Sequence, residues 1–487
     1  MKLYEVLKGI DYEMLNGRDD LDIESLTWDS REVGENSLFI AVRNRNVDRH
    51  DFVFDAVSSG AIALMVEREI SGLKKNVSVI KVKDARKAMS IAAQNFYNIP
   101  ISNLKTVGIT GTNGKTSVSY FISKILEVLE LKCGVIGTIQ NTLGEQKMTT
   151  KKLNPTTPDA IELQGTFAEM LEYGATHAAV EVTSSALSQD RVYGCEFDVA
   201  VFTNLTQDHL EEHVTMDNYK NAKLKLFSMC KKAVINIDDS FSKDIIATSN
   251  CKTITYGIDN DCDFRATDIE YTNIGVKFNL KYNCEIKKVE LNVPGRFSVY
   301  NALASIASCY CLKLSIDEIV NAVKEIKGVP GRFQAIENSK GILAVVDYAH
   351  SPDAIENILT SVKEITKGKI ITVFGCGGDR DASKRPLMGE VAGKLSDYCI
   401  ITSDNPRSEK TALIINDIEK GMLKTGCMYE KIEDRTQAIF KALNIANPND
   451  AVIIAGKGHE NYQILKNETI HFSDEEVVKK YFLNIVN

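Results

Sequence analysis

Short apolar runs recur along the chain at intervals filled by helix-like patterns, and this alternation is the first fact the sequence offers. Residues 38–42, 61–67 and 77–82 read as strands near the N-terminus. Residues 85–97 follow Asp84, a good N-cap, and place Ala88, Met89, Ala92 and Phe96 on one helical face. Further along, 178–182, 199–203 and 233–237 are continuous apolar runs of the kind that parallel strands show when both faces are buried. Val276, Phe278, Leu280 and Tyr282 instead alternate with polar residues, which predicts a half-exposed antiparallel strand. A third series, 342–346, 370–374, 398–402 and 451–455, is again interspersed with helical patterns, one of them opening at Ser351-Pro352. The pattern is that of an α/β protein with parallel sheets.

Turn signals divide the series. Pro100 to Asn103 reads as a linker, and Val329-Pro330-Gly331 as a turn and hinge, giving blocks of 1–100, 101–329 and 330–487. A chain of 487 residues is too long for one core, in keeping with about three domains. Composition narrows the class: 44% hydrophobic and 25% charged residues are ordinary for a globular protein, and a net charge of −8 without a basic run argues against nucleic acid as the main partner. No apolar stretch reaches the ~18–20 residues of a membrane span, and the N-terminus lacks a signal-peptide core. Eleven cysteines without paired spacing fit reduced thiols in a cytoplasmic protein, and Cys376 within a glycine turn reads as a small filler.

Chemistry concentrates where strands end. Thr110-Gly111-Thr112-Asn113-Gly114-Lys115-Thr116-Ser117 lies between an apolar run and a helical pattern over 118–129, and reads as a phosphate-binding loop. Lys115 is placed to reach the outer phosphates of a nucleotide, and Thr116 or Ser117 to ligate Mg²⁺. The loop has two residues between Gly111 and Gly114, whereas the usual pattern has four before its Gly-Lys pair. Glu181 closes one strand and Thr203 to His209 another, with Glu211, Glu212 and His213 following, and such oxygen and imidazole groups beside a phosphate loop suit Mg²⁺ better than zinc. Asp347-Tyr348-Ala349-His350 closes a strand at a helix start, suited to a nucleotide base or ribose. Gly375 to Asp381 is a glycine-rich turn, while Asp404-Asn405-Pro406-Arg407 and Gly456-Lys457-Gly458-His459-Glu460 end further strands at the ligand edge of the sheet. Asp404 with Arg407 can read a zwitterion, the carboxylate pairing an ammonium and the guanidinium a carboxylate.

The ordered set TGTNGKTS, TTP at 156–158, EVTSS, TNLTQDH, YKNAK, VPGRF, DYAHSPDA, GCGGDRDASKRP, DNPR and GKGHE resembles the Mur ligase family over nearly the whole chain. The resemblance implies three domains: 1–100 binding a UDP-sugar, 101–329 a P-loop ATPase domain, and 330–487 a Rossmann-like domain that binds an amino acid. It implies an ATP-dependent ligase that adds meso-2,6-diaminopimelate to UDP-N-acetylmuramoyl-L-alanyl-D-glutamate through an acyl phosphate, acting as a monomer in peptidoglycan precursor synthesis. It assigns Gly111, Thr112, Asn113, Gly114, Lys115, Thr116, Ser117, Asn301, Arg332, Asp347 and Tyr348 to ATP. Mg²⁺ falls to Thr116, Glu181, His209 and a carbamylated Lys223, and catalysis to Lys115, Glu181, His209 and Lys223. Ser30 is implied at the UDP end of the substrate, and Thr156, Thr157, Thr183, Gln189 and Arg191 at its muramoyl-peptide part. Arg380, Asp404, Asn405, Arg407, Gly456 and Glu460 are implied to hold the diamino acid, and two domains to close over both substrates.

Four positions depart from the family pattern: Ser185 stands for a histidine, Asn44 and Arg49 for glycines, and Ser298 for a frequent asparagine. An L-lysine-adding ligase, a polyglutamate-adding ligase and a paralogue that senses the nucleotide sugar without ligating it are the alternatives. The DNPR arginine argues against the first, since lysine offers it no distal carboxylate and an enclosed unpaired charge costs several kcal/mol.

Overall fold

The computed structural model describes residues 1–44, 47–73, 76–151, 153–206, 213, 215–272 and 274–486. The chain forms two compact units, Met1–Arg265 with Leu303–Ile319, and Ala266–Ala302 with Val320–Asn487. Among the described residues, no helix is long and apolar enough to cross a membrane.

The first unit contains two sheets. One orders its strands Tyr12–Asn16, Ser78–Val82, Ala61–Val66, Ser37–Ile40 and Ser25–Thr27, parallel except for the first. Helix Ala85–Phe96 packs on it through Ala88, Met89, Ala92 and Ala93, with Asp84 capping the helix by accepting from Lys87 N. In the other, parallel strands run in the order Lys252–Gly257, Cys230–Asn236, Phe197–Phe202, Lys105–Thr110, His177–Glu181 and Cys133–Ile136. The strand before the phosphate loop is therefore central, and its neighbours end in Glu181 and in the Thr203-Asn204 turn. That order makes the carboxyl end of the sheet a ligand crevice. Helix Lys115–Val128 covers it with a stripe of Val118, Phe121, Ile122, Ile125 and Leu126, all buried, each contributing about 1.5–3 kcal/mol by leaving water.

In the second unit, Val276–Tyr282 pairs antiparallel with Glu285–Leu291, and its burial alternates as the sequence predicts. The remaining sheet orders Gln334–Ile336, Leu343–Asp347, Ala451–Ala455, Ile370–Phe374, Tyr398–Ile401 and Met428–Lys431, parallel except for the first. Ser351 caps helix Pro352–Ile365 by accepting from Ala354 N. Two turn signals have more packing than the sequence suggests. Pro100 and Ile101 are buried in a short 3₁₀ turn. A side chain at Gly331 would meet His459 N at 2.0 Å, so this turn is docked against the Gly458-His459 backbone. Cys376 is buried against Met388, and burial pushes its thiol up to about 12.

Candidate active site

The phosphate loop is held almost entirely by backbone and hydroxyl groups. Gly114 adopts φ 86°, a left-handed conformation that turns the chain into the helix at Lys115, three residues earlier than the apolar pattern alone predicts. Asn204 braces the loop from the neighbouring strand: its carbonyl accepts from Thr112 N at 2.8 Å, its Oδ1 accepts from Asn113 N at 2.9 Å, and its Nδ2 donates to Asn113 O at 3.1 Å. Thr203 Oγ1 donates to Asn113 O at 2.6 Å. Lys115 Nζ folds back onto the loop, donating to Gly111 O at 2.9 Å and Thr112 O at 2.8 Å.

Glu181 is buried, and its carboxylate faces the first turn of the helix. Oε2 accepts from Thr116 Oγ1 and from Thr138 Oγ1, both at 2.9 Å, and Oε1 accepts from Thr138 N at 2.9 Å. A side chain at Gly137 would lie 2.0 Å from Oε1, so glycine there leaves the carboxylate its place. Lys223 is buried on helix Met216–Leu224, its Nζ 4.5 Å from the Tyr219 ring centre and donating to Gly111 O at 3.0 Å. The loop, Glu181 and Lys223 thus converge, while His209 lies outside the described residues. Oxygen groups of Thr116 and Glu181 suit a hard divalent cation.

Beside Glu181, Thr157 Oγ1 donates to the Glu181 carbonyl at 2.8 Å and lies 3.1 Å from Thr183 Oγ1, while Thr156 Oγ1 is 3.1 Å from Thr138 Oγ1. Arg191, buried, donates to Thr157 O at 3.0 Å and to Gln189 Oε1 at 2.9 Å. Ser185, the position lacking the family imidazole, accepts from Gln189 Nε2 at 3.0 Å. An imidazole is nonetheless present one residue away, because His213 Nε2 sits 2.9 Å from Ser184 Oγ. Ser30 lies on a 3₁₀ turn capped by Asp29, whose carboxyl Arg31 holds down at about 2. Two further departures are built into this region: Asn44 Oδ1 accepts from Arg86, and the Arg49 guanidinium stacks 4.0 Å over Trp28.

The second unit builds its site from charge. Asp347 accepts from Phe333 N at 2.6 Å and Ala349 N at 2.8 Å, and burial raises its carboxyl although the Arg332 charge opposes the shift. Arg332 lies 4.8 Å over the Tyr348 ring, which also neighbours His350 at 4.6 Å and His459 at 5.1 Å. Asn301 is buried on the first part of helix Arg296–Cys311, which belongs to the same unit. Asp404, Asn405, Arg407, Gly456 and Glu460 come together at the ends of two strands. Asn405 Nδ2 donates to Glu460 Oε2 at 2.9 Å, and a side chain at Gly456 would lie 2.6 Å from Asp404 Oδ2. Arg407, at φ 52° in the left-handed region, donates from Nη1 to Gly378 O at 2.8 Å, and Arg380 is exposed on that same glycine-rich turn.

Residues that sequence reasoning missed hold these strand ends. Arg435 is fully buried, pairs bidentately with Asp474 at 2.7 Å, and donates to Ser403 O and Ala455 O, the carbonyls preceding Asp404 and Gly456. Arg385 pairs with Glu409 and Asp417 and donates to Gly377 O. Asn204 and Thr138 were likewise unassigned; only Asn204 carried a signal, its place inside a strand-end motif.

A phosphate loop in a parallel sheet and a charged pocket in a Rossmann-like one define an enzyme that activates an acid and joins it to an amine. The chain belongs to the Mur ligase family. Residues 22–97 match the Mur ligase family catalytic domain, 109–309 the Mur ligase middle domain, and 331–458 the Mur ligase glutamate ligase domain. It is an ATP-dependent ligase. A UDP-N-acetylmuramoyl-L-alanyl-D-glutamate–2,6-diaminopimelate ligase of Clostridium acetobutylicum is 45% identical, with 99% of each chain covered. One from Caldanaerobacter subterraneus subsp. tengcongensis is 46% identical over 99% of this chain and 98% of its own. A solved structure of a ligase bearing that name superposes with TM-score 0.74 at 32% identity, covering 100% of this chain and 99% of its own.

Proposed function

We propose that the protein adds meso-2,6-diaminopimelate to the D-glutamyl γ-carboxylate of UDP-N-acetylmuramoyl-L-alanyl-D-glutamate, with ATP consumed, as its relatives' names describe. The observation that carries the reading is the pocket of Asp404, Asn405, Arg407 and Glu460, which offers both signs of charge to one amino-acid end.

A carboxylate resists attack by an amine because it is negatively charged and its oxygen leaves poorly. Phosphorylation by ATP turns that oxygen into a phosphate leaving group. The loop from Gly111 to Ser117 binds the phosphates through backbone N–H groups and the helix N-terminus, and Lys115 swings from its loop carbonyls to the transferring phosphoryl group, offsetting charge that builds there. Thr156, Thr157, Thr183, Gln189 and Arg191 hold the muramoyl-peptide, and Ser30 the uridine end. Asn301, Arg332, Asp347 and Tyr348 hold the nucleotide. The diamino acid's free amine then attacks the acyl phosphate, and phosphate departs from the tetrahedral intermediate.

Thr116, Glu181, His209 and a carbamylated Lys223 would hold Mg²⁺, which supplies positive charge against the phosphates. The lysine geometry supports the modification. Lys115 and Lys223 both donate to Gly111 O, so two ammonium groups crowd one carbonyl, and a carbamate at Lys223 removes that repulsion.

The test is ATP consumption by the purified protein. It should require the UDP-muramoyl-dipeptide and diaminopimelate together; consumption with neither, or none with both, contradicts the reading and favours a sensing paralogue.

A further inference from the structure

Lys457 is fully buried at a strand-end turn, where an ammonium persists only with partners. It has two. Nζ donates to Glu460 Oε2 at 2.9 Å and to Asn405 Oδ1 at 3.2 Å. Asn405 Oδ1 also accepts from Ile464 N at 2.9 Å, so both lone pairs of that oxygen are engaged. The amide therefore has one orientation, with its NH₂ group toward Glu460 Oε2 and a second N–H beyond that bond.

The enclosed charges balance. Asp404 and Glu460 are negative, Lys457 and Arg407 positive, and Arg435 is cancelled by Asp474. Resting on the function proposed above, we infer that Lys457 is the positioning residue that sets the acceptor pocket's specificity. It cancels the Glu460 charge and fixes Asn405 as a hydrogen-bond donor. A pocket so arranged suits an amino-acid end that is a neutral zwitterion, with the carboxylate on Arg407 and Asn405 and the ammonium on Asp404. Without Lys457 the same pocket carries one excess negative charge, and the Asn405 oxygen keeps only the Ile464 N donor, which loosens the hold on the amide's orientation. Both changes favour an end that is a lone ammonium, as in L-lysine.

The test compares kcat/KM for diaminopimelate and L-lysine in the full-length enzyme and in Lys457→Met, which keeps length and removes charge. The ratio of the two should fall by about tenfold or more, with the KM values for ATP and the UDP-sugar unchanged, as expected for loss of one enclosed charge. Lys457→Arg, which keeps the charge, should retain most of the preference. If Lys457→Met does not fold, Asn405→Asp supplies the same test, because it keeps the buried lysine paired while replacing the donor by an acceptor. An unchanged ratio in a folded variant, with the wild type selective for diaminopimelate, overturns this inference and leaves the proposed function standing. A wild type that ligates neither amino acid removes both.

Discussion

The phosphate loop of the first unit and the charged pocket of the second are built by opposite means. The phosphate loop is fixed by backbone carbonyls, amides and hydroxyls contributed by Thr112, Asn113, Thr203 and Asn204. The pocket proposed for the amino acid is fixed by buried charges: Arg435 on Asp474, Arg385 on Glu409 and Asp417, and Lys457 on Glu460. A triphosphate is recognised by a concave array of N–H groups, which any sequence with the right turn supplies. A zwitterion needs point charges of both signs in a dry pocket, and these must themselves be neutralised. Removing a group from the first half should therefore cost activity more than stability, whereas removing a buried charge from the scaffold of the second should cost both.

The largest effect expected is for Lys115→Ala. Loss of the charge proposed to meet the transferring phosphoryl group should lower kcat by at least about a hundredfold, while thermal unfolding stays near the wild type, since the Lys115 ammonium donates to carbonyls of the loop itself. Near-normal turnover in the folded variant would contradict the loop's role. Next comes Arg407→Ala, which should raise the KM for diaminopimelate roughly 30-fold to several-thousand-fold, in line with the ~2–5 kcal/mol lost when one enclosed charge partner is truncated. Comparable rises in the KM for ATP would show that the pocket is misassigned. Arg435→Met sharpens the comparison, because it touches no proposed ligand. It leaves Asp474 buried and unpaired, and should destabilise the protein by about 3–5 kcal/mol, measured by denaturant unfolding. A stability loss no greater than that of Lys115→Ala would erase the distinction between the halves.

Glu162 gives the smallest effect and tests the first unit's own buried charge. Burial, reinforced by the neighbouring Asp159, raises its carboxyl from 4.5 to about 7, and its Oε1 accepts from Trp28 Nε1 at 3.3 Å. A raised carboxyl pKa means that the native state holds its proton more tightly than the unfolded chain does. The site's contribution therefore turns against folding as pH climbs from 4.5 to about 7, and the full penalty stands above that. Glu162→Gln keeps the acceptor for Trp28 without the charge, so it should stabilise by about 1–3 kcal/mol at pH 8 and by little at pH 4. A gain confined to acid pH would reverse the sign and refute the assignment.

The same contrast explains what the sequence revealed. The phosphate loop is local, and its strand, turn and helix follow one another within two dozen residues, so periodicity and glycine placement suffice to locate it. Glu181 and Thr203 were legible because parallel strands deliver their last residues to one edge. The scaffold of the second half was not. Arg435 and Asp474 are 39 residues apart, and nothing in either segment's pattern distinguishes them from surface charges. Lys457 stood inside a quoted motif, yet its burial depends on Asn405, 52 residues away. Short strands such as Ser25–Thr27 escaped for a related reason: three residues are too few to show a period, and their pairing partner defines them. Asn44 and Arg49 were read only as departures, because their contacts with Arg86 and Trp28 are tertiary.

Mass spectrometry of the product formed from equimolar diaminopimelate and L-lysine decides whether this ligase adds diaminopimelate. With UDP-N-acetylmuramoyl-L-alanyl-D-glutamate and ATP supplied, a single new species carrying diaminopimelate is expected. A product containing lysine in comparable or greater amount would contradict it.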